Sequence, residues 1–380
     1  MSFELTPDQQ AYARRVRELA QTELADAGDG EESRVDRGLL ARLGELGLLR
    51  GLFGGEPGSP PRDAAAMQLC LLRETIAGVD THAETALALQ GLGSYPILQS
   101  GSSEHVERWM PGVVSGDVVA AFALSEPGAG SDAAALELRA EPDGDGWRLH
   151  GEKTWISNAP DADVYSVFAR TTPDSRARGV TAFVVAGDAP GLAGEHLDLL
   201  SPHPIGRLTF DGVRVGPADV LGEVDRGFAV AMRTLDLFRP SVGAFAVGMA
   251  QAALDAAHTY ACERHVYGAP LIEQQSVAHA LAEMATRTQA SRLLVYNAAA
   301  AYDRGADAAH ITTSAAMAKL HATETAQYVV DQAVQLHGAR ALQRGHLLER
   351  LYRDVRAPRI YEGASEVQRT IIARGLGKGG

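Results

Sequence analysis

Glu362 stands in the segment Ile360-Tyr-Glu-Gly-Ala-Ser-Glu366, with a glycine after it and a helix expected to start near Ser365 as its N-cap. A carboxylate there can accept a proton as a general base; in isolation it also reads as a favourable charge near the positive end of a helix dipole. A second set of candidates lies upstream. In Phe122-Ala-Leu-Ser-Glu-Pro-Gly-Ala-Gly-Ser-Asp132 an apolar run enters a Gly-rich turn carrying Ser125, Ser131 and Asp132. Such a turn lets amides and hydroxyls approach a flat polar ligand, although an ordinary strand-to-loop exit has the same composition. In Gly151-Glu-Lys-Thr-Trp-Ile-Ser-Asn158 an extended strand would place Trp155 and Ser157 on one side, a ring beside a hydroxyl. The plainer alternative puts Trp155 in a half-buried core.

Three further segments carry charge or glycine at suggestive places. Leu235-Asp-Leu-Phe-Arg-Pro240 is expected to open a long helix, with Asp236 and Arg239 in its first turns; a helix-start Asp and a solvated Arg fit equally. Glu263-Arg-His-Val-Tyr-Gly-Ala-Pro-Leu-Ile-Glu-Gln-Gln275 places Arg264 and Tyr267 before a turn at Gly268 and Pro270. Gln335-Leu-His-Gly-Ala-Arg-Ala-Leu342 places Gly338 where a helix would end.

The elements that must position these residues follow from periodicity. From Thr6 to about Gly116 apolar residues recur at helical steps, as at Leu39, Leu43 and Leu46, interrupted by a Gly/Pro-rich loop over Gly51 to Arg62. Between Asp117 and Gly227 short β-rich runs appear at Val118 to Leu124, Trp147 to Ser157, Val164 to Ala169 and Val180 to Ala186, and Asp143-Gly-Asp-Gly146 signals a hairpin. Beyond Phe228 helical spacing returns, at Val277, Leu281 and Met284 and again at Val329, Gln332 and Leu336. The expected fold is mainly α with a central β domain: an N-terminal helical domain at 1–117, a middle β-barrel-like domain at 118–228 and a C-terminal helical bundle of four helices at 229–380.

Composition narrows the function classes. The formal charge of -13, pI near 5.4 and absence of any basic run oppose a nucleic-acid role. Of 35 basic residues only Lys153, Lys319 and Lys378 are lysines, which reads as a bias of the genome and is given no mechanism. Cys70 and Cys262 are far apart with no C-x-x-C, so neither a disulfide framework nor a thiolate metal site is expected, and no metal is assigned. No signal-peptide pattern opens the chain, and the longest apolar stretches are too short or too interrupted to span a membrane, so a cytoplasmic protein is expected.

Taken together, Phe122 to Asp132, Trp155-Ile-Ser157 and Tyr361-Glu-Gly-Ala-Ser-Glu366 resemble the flavin and active-site motifs of the acyl-CoA dehydrogenase family, and the helix, β, helix order is similar. The resemblance implies FAD as cofactor and Glu362 as the base that removes the substrate α-proton. It implies cofactor contacts from Phe122, Leu124, Ser125, Gly130, Ser131, Trp155, Ile156 and Ser157, an aromatic ring and hydroxyl suited to isoalloxazine. Arg264, Tyr267 and Gln275 match the family's R-x-x-F-G-x-P-L-x-x-x-Q, whose Arg pairs with the pyrophosphate of a neighbouring subunit's FAD; a homo-oligomer follows, a tetramer or dimer. Gln335, Gly338, Ala364 and Glu366 complete the implied cofactor set, and Ser131, Asp236, Arg239, Tyr361 and Gly363 the substrate set.

The sequence also departs from the family. Ala339 and Ala341 stand where glycine is usual, Ala364 replaces Thr, Tyr267 replaces Phe, and Leu52 to Gly58 and Glu195 to Arg207 are atypical. Some members place the base just before the Arg of D-x-x-R; here that position is Phe238, so Glu362 is the motif carboxylate left for the role. The implied reaction is α,β-dehydrogenation of an acyl thioester, carried by coenzyme A or acyl carrier protein, with electron-transferring flavoprotein as the electron acceptor. A flavin oxidase or monooxygenase on the same scaffold and a flavin-free helical scaffold protein are the competing readings. A di-metal helical protein is opposed by the absence of any Glu-x-x-His. The G-x-G-x-x-G match at 375–380 lacks a following helix.

Overall fold

The computed structural model describes residues 4–25, 33–54 and 61–377. The loop expected at 51–62 is thus described only at its ends, where the backbones of Gly54 and Arg62 bridge. Positions 55–58 of the atypical segment and 378–380 of the C-terminal glycine match lie outside the described residues.

Five helices come first: α1 (Pro7–Glu23), α2 (Arg37–Glu45), α3 (Ala66–Ala77), α4 (Thr81–Ser100) and α5 (Ser103–Ser115). Thr6 starts α1 through a reciprocal cap with Gln9, with Pro7 at the first helical position, where its missing N–H costs nothing. Eight strands follow: β1 (Ala120–Ala123), β2 (Arg139–Asp143), β3 (Gly146–Ser157), β4 (Val164–Arg170), β5 (Val180–Ala186), β6 (Leu192–His196), β7 (Ile205–Val215) and β8 (Val220–Leu221). They form one sheet in the order β6-β7-β3-β2-β4-β5-β8, with β1 parallel to β4. No ladder among the described residues joins β6 to β8, and the expected β domain is this one sheet. The hairpin expected at Asp143 to Gly146 joins β2 to β3, with Gly144 at φ 67°. β4 and β5 are buried along almost their whole length, which explains their unbroken apolar runs.

The remaining chain is helical: α6 (Gly227–Glu263), a two-stranded ribbon of β9 (His265–Val266) and β10 (Ala269–Pro270), then α7 (Gln275–Asp303), α8 (Ala308–His337), α9 (Leu347–Asp354) and α10 (Ser365–Leu376). A four-residue connection makes α7 and α8 antiparallel neighbours, and α10 also packs on α8. The stripe of Val277, Leu281 and Met284 is buried as its spacing predicts.

The chain packs as two compact units. One comprises Met1–Asp26, Ala66–Glu84 and Asp236–Gly380; the other comprises Ala27–Ala65 and Thr85–Leu235. The first holds the long C-terminal helices together with α1 and α3. The second holds the whole eight-stranded sheet with α2 and α5.

Two local expectations are corrected. Asp236-Leu-Phe-Arg-Pro240 does not open α6 but lies well inside it, with Pro240 embedded in the helix. Proline has no N–H, so the carbonyl of Asp236 one turn earlier lacks that helical partner. Ser365 does not cap α10: the cap position is Ala364, which offers no side-chain acceptor, while the Ser365 hydroxyl donates to Glu324 Oε1 at 2.5 Å.

Candidate active site

In the first unit the segment around Glu362 is bent by two successive left-handed residues, Glu362 at φ 51° and Gly363 at φ 93°. For Glu362 that conformation costs about 1–2 kcal/mol, so other contacts must hold it. Those contacts converge on the two carbonyls of the bend. Arg239 Nε and Gln368 Nε2 donate to the Glu362 carbonyl at 3.1 and 3.2 Å, and Lys319 Nζ and Gln368 Nε2 donate to the Gly363 carbonyl, each at 2.8 Å. A Cβ on Gly363 would sit 2.6 Å from Gln368 Nε2, so the glycine makes room for the amide that ties the bend.

The carboxylate itself is differently placed. Its Oε2 is shut off from water and has no hydrogen-bond partner among the described residues. Burial raises the carboxyl pKa, and Arg73, Lys319 and Arg239, in that order, oppose the rise. A carboxylate held this way is a stronger base than one in water yet still ionisable. Arg239 is itself braced by Asp236, 3.4 Å away, and Asp236 accepts a bond from Thr312 at 2.7 Å. Arg73, from α3, pairs with Glu84 of α4 at 2.5 Å and donates to Ser241 at 2.7 Å, with neither charged partner significantly exposed. Tyr361 is raised well above the usual phenol range by burial, so it stays protonated. Phe238, at the alternative base position, is a buried ring 1% exposed.

In the second unit the Gly-rich turn after β1 is anchored from β3. Lys153 Nζ donates to the Leu124 carbonyl at 2.9 Å and to Glu126 Oε1 at 2.7 Å. Glu126 in turn accepts the amides of Glu137 and Leu138 at 2.5 and 2.9 Å, and the Ser125 carbonyl accepts the Thr154 amide at 3.0 Å. Beyond this anchor Gly130 and Ser131 are exposed, and nothing lies within 4 Å of where a Gly130 Cβ would stand. Trp155 is not a core ring. The β3–β7 register slips between Lys153 and Ile156, Trp155 takes φ 58°, and its indole is 57% exposed while Ile156 is 1% exposed. The Ser157 hydroxyl lies 2.9 Å from His203 Nε2, and the Phe122 ring packs on Phe168 with centroids 4.9 Å apart.

Models of the acyl-CoA dehydrogenase N-terminal, middle and C-terminal domains match residues 6–117, 121–213 and 225–377. The short-chain specific acyl-CoA dehydrogenase of Rattus norvegicus mitochondria is 37% identical over 377 residues, 98% of this chain and 90% of that protein. The butyryl-CoA dehydrogenase structure from Megasphaera elsdenii superposes with a TM-score of 0.91 at 32% identity, covering all of both chains. The FAD complex of PigA superposes with a TM-score of 0.93 at 27% identity, again over both whole chains. The chain belongs to the acyl-CoA dehydrogenase family. It is an oxidoreductase of the acyl-CoA dehydrogenase type, and the cofactor of that family is FAD.

As a member of the acyl-CoA dehydrogenase family the chain presents most of its remaining motif residues on the surface of the first unit. Arg264 and Tyr267 border the β9–β10 ribbon, whose two-residue turn, Tyr267 and Gly268, takes positive φ at both positions, as a tight hairpin requires. The turn expected at Gly268 and Pro270 is thus a hairpin turn centred on Tyr267 and Gly268. Tyr267 is 98% exposed. Gln275 is the exposed first residue of α7; Gln335 and Gly338 are exposed at the end of α8; Ala339 is exposed and Ala341 is buried. Glu366 is exposed and pairs with Arg369 at 3.1 Å. Sequence reasoning passed over Arg73, Glu84, Ser241, Lys319 and Gln368 around Glu362, Lys153 and Glu126 beside the Gly-rich turn, and His203 beside Ser157. Gln368 lay within the quoted motif. The two lysines were visible as two of only three in the chain.

Proposed function

We propose that this chain catalyses FAD-dependent α,β-dehydrogenation of an acyl thioester to the trans-2-enoyl thioester, with Glu362 as the α-proton acceptor. The observation that carries this reading is Glu362 Oε2: buried, unpartnered, and borne on a left-handed bend fixed by Arg239, Lys319 and Gln368.

An α-proton of a saturated thioester is too weakly acidic for a carboxylate of ordinary strength. The site has to strengthen the base and stabilise the charge that develops on the thioester carbonyl. Burial strengthens Glu362, and its three cationic neighbours keep the carboxylate accessible. The family resemblance assigns the Glu362 backbone N–H to the thioester carbonyl, and Tyr361, Gly363, Asp236, Arg239 and Ser131 to positioning the substrate. When bound, FAD supplies the two-electron acceptor for the β-hydrogen.

The residues present fit that cofactor. Gly130 leaves an open approach, Leu124 and Ser125 are fixed in place, Trp155 offers an exposed ring, and Ser157 offers a hydroxyl. In this reading Phe122, Ser131 and Ile156 complete the flavin-ring side. Arg264, Tyr267, Gln275, Gln335, Gly338, Ala364 and Glu366 serve the rest of FAD, with Arg264 reaching the cofactor of a neighbouring subunit in a homo-oligomer. Planar bidentate cations suit that pyrophosphate role. The 98% exposed Tyr267 beside it supports a surface covered by another copy. The same reading divides the chain at 1–117, 118–228 and 229–380, takes acyl-CoA as substrate and electron-transferring flavoprotein as acceptor, and places the protein in the cytoplasm. No helix of the described residues is long and apolar enough to cross a membrane.

The test is Glu362→Gln. The purified variant is expected to stay yellow with FAD and to resist bleaching by acyl-CoA under anaerobic conditions, while the unaltered enzyme bleaches. Bleaching of the variant at the unaltered rate would refute the assignment of the base.

A further inference from the structure

The segment that carries the proposed base is tied at both ends to one carboxylate. Glu324, on α8, accepts the Ser365 hydroxyl on Oε1 at 2.5 Å and pairs with the Arg359 guanidinium through Oε2 at 2.8 Å. Arg359 closes the short 3-10 turn Ala357–Arg359, Ser365 is the first residue of α10, and Glu362 stands midway, three residues from each. The ties from Arg239, Lys319 and Gln368 fall instead on the middle of the segment, at the carbonyls of Glu362 and Gly363. At the entry Ile360 is 58% exposed, so its burial does not pin the chain, and at the exit the cap position Ala364 offers no side-chain acceptor. A segment held only in its middle can still relax by letting an end slide, because leaving the left-handed region at Glu362 and Gly363 changes the separation of the residues on either side. Holding both ends on one carboxylate closes the segment into a ring, and a short closed loop has lost that freedom.

We propose that Glu324 is a positioning residue for the base, its carboxylate closing residues 359–365 into a ring so that Glu362 keeps its left-handed bend and its aim. The inference rests on the dehydrogenase reading and adds to it a residue that acts through the ends of the segment. The role is one of geometry rather than of stability: the paired side chains of Arg359 and Glu324 are 31% and 30% exposed, and an ion pair so exposed contributes little to folding free energy. Relaxation of the bend needs only one free end. Opening either tether therefore undoes the ring, and opening the second adds little. Two supports that acted independently would lose rate separately, and their losses would multiply.

The experiment measures anaerobic bleaching of the FAD-loaded enzyme by butyryl-CoA, octanoyl-CoA and palmitoyl-CoA. With the fastest of these, the limiting rate and the half-saturating concentration are recorded for Arg359→Met, Ser365→Ala and the two changes together. Each single change is expected to lower the limiting rate by about tenfold or more, because small displacements of a catalytic group cost on the order of 10²-fold. The double variant is expected to lie within about twofold of the slower single one, with the half-saturating concentration within about threefold of the unaltered value. Arg359→Lys, which keeps a cation at the tether, is expected to hold the limiting rate within about threefold. Should Ser365→Ala fail to fold, the contrast between Arg359→Met and Arg359→Lys still decides, and equal rates for those two overturn the inference. Losses that multiply, an unchanged limiting rate in either single variant, or a loss confined to the half-saturating concentration each overturn it while leaving the dehydrogenase reading intact. An unaltered enzyme bleached by none of the three substrates overturns both.

Discussion

Lys319 Nζ donates to the Gly363 carbonyl at 2.8 Å, one residue past Glu362, from a side chain with no exposure to solvent. A single residue of α8 thereby fixes the bend that carries the base and places a positive charge near its carboxylate. Burial lowers the Lys319 pKa to about 8, against the opposing pull of Glu362, so the ammonium is present at neutral pH. Lys319→Met should slow flavin bleaching by about tenfold or more, since small displacements of a catalytic group cost on the order of 10²-fold. Its sharper signature is the pH profile. The rate requires ionised Glu362, whose pKa is already raised, so the unaltered rate should climb with pH from above the ordinary carboxylate range. Removing a cation disfavours the carboxylate further, so the acid limb of the variant should lie at higher pH. Stopped-flow bleaching across pH 5–9 measures both, and superimposable acid limbs would rule out the electrostatic role.

Gly363→Ala tests the bend itself. The new Cβ would stand 2.6 Å from Gln368 Nε2 at a residue of φ 93°, so either the amide withdraws from both carbonyls or the backbone turns out of the left-handed region. We expect a loss of about 1–2 kcal/mol in stability from the backbone alone and a drop in bleaching rate of at least about tenfold. Bound FAD absorbance should persist, because the residues proposed on the flavin ring, the β1 turn and Trp155, belong to the other unit. A variant with the unaltered rate and melting temperature would show that Gly363 is not needed for the bend.

The helix, β, helix order was legible in the sequence because it rests on local signals: the spacing of Val277, Leu281 and Met284, the β-rich run of Val180 to Ala186, and the hairpin at Gly144. Glu362 was legible because its motif is contiguous. What surrounds Glu362 was not, because Arg73 and Glu84 come from α3 and α4, Ser241 from α6 and Lys319 from α8, and nothing local marks such partners. The scarcity of lysine was dismissed as a bias, yet Lys153 and Lys319 are both fully buried, one at each predicted motif. Each of these two ammonium groups donates to a backbone carbonyl, Lys153 to that of Leu124 and Lys319 to that of Gly363. The core alternative for Trp155 rested on a regular strand, and one slipped register turns the indole out of the core.

Lys153 gives a prediction about stability rather than rate. Its ammonium is fully buried, bonded to the Leu124 carbonyl and Glu126, and burial lowers its pKa to about 8 although Glu126 opposes the fall. In the unfolded chain a lysine titrates near ~10.4. Between about 8 and ~10.4 the unfolded chain therefore holds a proton that the folded chain has released, and stability contributed by this site rises with pH across that window. Below about 8 both states are protonated and the fold carries the full cost of the buried charge. Lys153→Met should destabilise at pH 7.5 by about 3–5 kcal/mol, because it strands Glu126 and the Leu124 carbonyl. It should also abolish this site's upward slope, so the stability gap between the unaltered protein and the variant should widen from pH 7.5 to pH 9.5. The other titrating groups are common to both proteins, so urea midpoints at the two pH values isolate Lys153. Parallel midpoints would mean that the buried ammonium keeps its ordinary pKa, with Glu126 fully offsetting its burial.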